Sequence, residues 1–198
     1  MRFLAYIIVF LEGGALLSYE IMAAKMYTPH IGATLYVWTS ILTLTLIALA
    51  LSYRFSHHFI EKKKWKILPL SLLISGIYII GVVFSRNAIL PLTYAMEIKS
   101  ASLFTGLLLL LIPVFFMGLT SPLISAWLTD NQIDKATDKA GNFAGFVYGI
   151  GTLSGVLFTL LCLFVLMPTI GVNNTVILLG LMLILAGIVS YFFIKIAK

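Results

Sequence analysis

Six stretches of the chain are almost free of charge, at about 3–24, 34–54, 67–85, 102–128, 143–167 and 174–194. Each is close to or above the roughly 20 residues that an α-helix needs to cross a hydrocarbon core of about 30 Å. The 34–54 stretch is rich in Leu, Thr and Ala and lacks the alternation of a barrel strand. The pattern therefore predicts helices, whose backbone hydrogen bonds close within each segment. The expected fold is all-α and integral to a membrane: a single transmembrane domain over 1–198, built as a six-helix bundle.

Composition agrees with the pattern. Of 198 residues, 61% are hydrophobic and 10% charged, with a mean hydropathy of +1.10. A soluble domain carries about 25% charged residues. The lone cysteine, Cys162, lies in an apolar run and has no second cysteine to pair with. The formal charge of +6 comes from loop lysines and arginines, so it marks membrane topology rather than a nucleic-acid partner. Arg2, Arg54, Lys62, Lys63, Lys64, Lys66, Lys135, Lys139, Lys195 and Lys198 fall on one side of the six-span layout. Lys25, Arg86 and Lys99 fall on the other. The positive-inside rule then puts both termini in the cytoplasm, with a cell (inner) membrane as the expected location. The first run begins like a cleavable leader, but Glu12 within it and the lack of a convincing cleavage site predict a retained helix. The runs account for nearly all of the sequence, so no separate soluble domain is expected within it.

Two runs carry internal features. The fourth is long and contains Pro113 and Pro122, each of which removes a helical donor and predicts a kink. The fifth opens GNFAGFVYGIGTLSG. Gly141, Gly145 and Gly149 repeat at four-residue spacing, and Gly151 and Gly155 fall on another face. Small residues so spaced let helices approach closely, which predicts packing against two neighbours; a glycine-lined path is the alternative.

Candidate chemistry rests on acids inside the first run. Glu12 is about 14 Å along the first helix, near the bilayer midplane. A carboxylate there costs roughly 3 kcal/mol or more unless something faces it. Two readings stay open: a proton or cation site in a polar cavity, or a hydrogen-bonded carboxyl that joins helices. Glu20 is eight residues on, within about 80° of Glu12 around the helix, so both can face one interior. Lys25 is a candidate partner for Glu20. The basic loop carrying Lys62, Lys63, Lys64 and Lys66 is expected to meet anionic lipid headgroups. His57, His58 and Glu61 beside it read as part of that solvated loop rather than a metal site. Asp130, Asp134 and Asp138, with Lys135 and Lys139, read as one face of a short surface helix. There is no P-loop, no GxGxxG after a strand and no nucleophile–base set. No catalytic residue, cofactor or metal is expected.

Several strings then occur together: SYEIMAAK (18–25), PHIG (29–32), TLYVWTS (34–40), PVFFMGLTSPL (113–123), AGNFAGFVYGIGTLSG (140–155) and LMPTIGVNNT (166–175). In this order they resemble the membrane half of the fused MFS/spermidine synthase-like family, over nearly the whole chain apart from the loops at 55–66 and 86–101. The resemblance implies a bundle similar to half of a major-facilitator-type transporter. It adds Tyr36 and Trp38 to Glu12, Glu20 and Lys25 as ligand or ion-binding candidates. The aminopropyltransferase-like half of that family has no counterpart here, and Lys25 stands where the family usually has Arg. The expected function is a non-catalytic membrane subunit that docks other membrane or soluble subunits. The alternative is a transporter-like half-unit, working as a homodimer, for a small cation such as a polyamine.

Overall fold

The computed structural model describes residues 2–130 and 139–196. Met1, Asp134, Asp138, Lys135 and Lys198 lie outside the described residues, so the acidic surface helix does too. The described chain is helical, with eight α-helices: α1 (Arg2–Ile31), α2 (Leu35–Glu61), α3 (Ile67–Ile89), α4 (Ile98–Gly106), α5 (Ile112–Gly118), α6 (Thr120–Asp130), α7 (Lys139–Leu161) and α8 (Met167–Ile196). Five helical stretches are long and apolar enough to cross a membrane: α1, α2, α3, the bent rod Ile98–Asp130, and Gly141–Phe192.

The chain is an all-α protein compatible with integral membrane placement. The helices outrun the apolar stretches at several ends, because polar residues continue a helix once its core is formed. Thus α1 runs on to Ile31 through Pro29, and α2 extends over His57 and His58 to Glu61. Between α1 and α2, Gly32 adopts φ +90°, a left-handed cap that lets its N–H return to the Thr28 carbonyl at 3.0 Å.

The last stretch is 52 residues, about 78 Å if straight, which far exceeds a bilayer core. It breaks at Gly171, whose φ of +82° and ψ of 167° lie outside any helix. Only glycine adopts that conformation readily. The sequence predicts a loop between 167 and 174; the break is instead one residue wide. Asn174 and Thr175 return hydrogen bonds to the Ile170 and Gly171 carbonyls at 2.9 and 2.8 Å. Packing reverses across the break. α7 runs parallel to α1, with Arg2 over Phe143, Tyr6 against Phe146 and Phe10 against Phe158. α8 runs antiparallel to α3, with Gly180 against Gly76 and Gly187 against Leu73.

The helix is distorted before both prolines. Leu107–Leu111, just before Pro113, is π-helical, and the helix is interrupted at Leu119, just before Pro122. Cys162–Leu166, just before Pro168, is π-helical as well. A proline cannot donate to the carbonyl four residues back and clashes with it, so the turn before it widens.

α1 is the most enclosed of the long helices and touches α2, α4, α5, α6, α7 and α8. Its glycines allow this. A Cβ on Gly13 would strike the backbone of Gly151, and one on Gly155 would strike Leu17.

Candidate functional site

The central position of α1 sets the environment of Glu12. The residue is only 3% exposed. It borders a cavity of about 130 Å³ between five elements, α5 contributing Gly118. Gly13 and Leu16 of α1, Leu49 and Tyr53 of α2, Ser121 of α6, and Tyr148 and Thr152 of α7 supply its walls. Gly118, at the end of α5, lets α2 come close: a Cβ there would strike Ser52. The space equals a few water molecules at about 30 Å³ each.

The polar groups are unevenly placed. The Ser121 hydroxyl approaches the Glu12 carboxyl from α6. Tyr53 and Tyr148 meet edge to face, with ring centroids 6.4 Å apart. Both are more than 40% exposed, so the pair forms the cavity's mouth between α2 and α7. Glu12, Ser121 and the two phenol rings thus border one small space.

Glu20 is also buried, at 9% exposed, but in a different place. It faces Thr45 and lines an apolar groove of about 320 Å³ with Leu17, Trp38, Leu42, Val156 and Leu160. Leu17 borders both spaces, so the two acids share a helix side without sharing a cavity.

The structure corrects several expectations. Lys25 does not pair with Glu20. Five residues turn a helix to about 140° away, and Lys25 is exposed. Among the described residues the ion pairs are His57–Glu61 at 3.2 Å and Lys63–Asp130 at 2.9 Å. Tyr36 does not join Trp38 and Glu20; it lies under the Lys99 ammonium, 5.6 Å from the ring centroid. Two residues of helix turn Tyr36 about 160° from Trp38. Gly141, Gly145 and Gly149 do not pack against other described residues, since a Cβ on any of them would meet none within 4 Å. Only Gly151 and Gly155 face α1.

Other parts of the arrangement were not anticipated. Tyr53, Ser121 and Tyr148 come to Glu12 from runs far apart in sequence. Gly76 and Gly180 form the α3–α8 contact from isolated positions without a repeat to mark them. Lys62, Lys64 and Lys66 are exposed at one end of the bundle, and Lys63 holds Asp130 there.

No family model, no curated protein and no solved structure matches the chain.

Proposed function

We propose that the chain is a non-catalytic integral membrane subunit that crosses the membrane six times, with both termini in the cytoplasm, and docks a partner subunit along α7. The reversal at Gly171 supports six crossings, because α7 parallels α1 while α8 opposes α3. The observation that carries docking is the open glycine row Gly141, Gly145 and Gly149. Lipid tails gain little from such a row, whereas a second helix gains close backbone contact. The row lies beside Tyr148 and Thr152 at the mouth of the Glu12 cavity, so a docked helix would cover that mouth. The resemblance to the membrane half of fused MFS/spermidine synthase-like proteins belongs to this proposal. Purification in mild detergent tests it: a stoichiometric partner protein is expected, and recovery as a monomer would contradict it.

A second reading has its own support. Glu12 beneath Tyr53 and Tyr148 suits a small cation such as a polyamine. A homodimer closing two such cavities would be a transporter-like unit with Glu12 as the counter-charge. Under this reading Glu12→Gln abolishes uptake while the protein still inserts; normal uptake by that variant would exclude it.

A further inference from the structure

Another cavity lies at the end of the bundle where α2 turns into α3. It measures about 670 Å³, within the ~300–1,000 Å³ of ordinary ligand sites. Its rim is polar and its floor apolar. Lys63, Lys64 and Lys66 stand at the rim with Asp130, and Trp65 and Trp127 form the sides. Below them lie Phe59, Ile67, Leu70 and Ile194.

The turn that builds the rim is specific. Lys63 adopts φ +47°, uncommon for a residue with a side chain, and its N–H returns to the Ile60 carbonyl at 2.9 Å. The conformation brings its ammonium to both carboxylate oxygens of Asp130, at 3.0 and 2.9 Å. This pair clamps the loop to the end of α6 and neutralises both groups. Lys64 and Lys66 then remain as two positive charges with no carboxylate partner among the described residues.

We propose that this cavity binds one anionic phospholipid, with its phosphate between Lys64 and Lys66 and an acyl chain along Leu70 and Ile194. Charge complementarity selects the headgroup. The apolar floor selects a lipid over a soluble phosphate, because a soluble anion would leave Leu70, itself 49% exposed, uncovered. Tryptophans at this level suit the membrane–water boundary, where one edge of the ring is wet and the other apolar. The site is independent of the α7 docking face.

The test compares dioleoyl phosphatidylglycerol with dioleoyl phosphatidylcholine retained by the purified full chain in native mass spectrometry. Two lysines near a membrane surface correspond to a preference of about 30-fold for the anionic lipid. The double variant Lys64→Gln, Lys66→Gln is expected to return to parity, and Arg86→Gln, in the last turn of α3 and outside the cavity, to keep the preference. Parity in the unmodified chain, equal loss in Arg86→Gln, or displacement of the lipid by excess inorganic phosphate would overturn the proposal. If the double variant does not insert, Trp38→Phe protein in vesicles supplies the answer. Brominated phosphatidylglycerol is expected to quench its remaining tryptophans more strongly than brominated phosphatidylcholine, and equal quenching would overturn the site.

Discussion

Tyr19 donates its hydroxyl to the Leu109 carbonyl at 2.7 Å, and Leu109 stands four residues before Pro113. That carbonyl is the acceptor a normal helix would satisfy from residue 113, which has no N–H to give. In the wider π register the residue deprived by Pro113 is Leu108. Its carbonyl takes the Tyr78 hydroxyl at 2.6 Å. The Ser75 hydroxyl, whose shorter bond at 2.9 Å goes to the Ser71 carbonyl of its own helix, also lies 3.2 Å from the Pro113 carbonyl. Two tyrosines thus repair the backbone of a distorted helix, where membrane or dry core supplies no water to do so.

Removing one repair should cost stability. Tyr19→Phe leaves a buried carbonyl unpaired, a loss of about 1–3 kcal/mol, seen as a lower unfolding midpoint in detergent. Pro113→Ala restores the missing donor. The double variant Tyr19→Phe, Pro113→Ala should therefore lose less than the two single losses combined. Simple additivity would mean that the tyrosine and the proline are not coupled.

The glycines of α7 should divide into two classes. Gly151 and Gly155 face α1, where Gly13 meets the Gly151 backbone; Gly13→Ala forces the helices apart and should cost about 1–3 kcal/mol. Gly145→Ala meets open space and gains helix propensity, so the isolated chain should be unchanged or up to about 1 kcal/mol more stable. Thermal unfolding of both variants decides this. Equal damage at the two sites would contradict the assignment of faces.

Gly171 should resist any side chain. Nothing lies within 4 Å of a Cβ there, so space is not the obstacle. The obstacle is backbone conformation, and Gly171→Ala should cost about 1–3 kcal/mol. A loss of that size in thermal unfolding supports the one-residue break, and a neutral substitution would contradict it.

The long apolar helices and both proline distortions were legible in the sequence, because bilayer length and missing donors are local properties. The apolar character of those helices follows from composition alone. The division of the α7 glycines was not legible: spacing gives the faces of a helix, and only its neighbours say which face is filled. The polar lining of Glu12 was hidden for a related reason. Glu12, Tyr53, Ser121 and Tyr148 come from four separate runs, and no local pattern joins them. Lys25 looked like a partner for Glu20 by proximity in sequence, yet helical rotation turns it away. Trp38, by contrast, does line the same groove as Glu20.

The central claim is that the open glycine row of α7 seats a partner subunit. Purification in mild detergent, with native mass spectrometry of the unmodified chain and of Gly145→Trp, tests it most directly. The unmodified chain should carry a different protein at fixed stoichiometry, and Gly145→Trp should insert normally but lose it. Recovery of the unmodified chain as a monomer or lone homodimer, or a partner retained by Gly145→Trp, would contradict the claim.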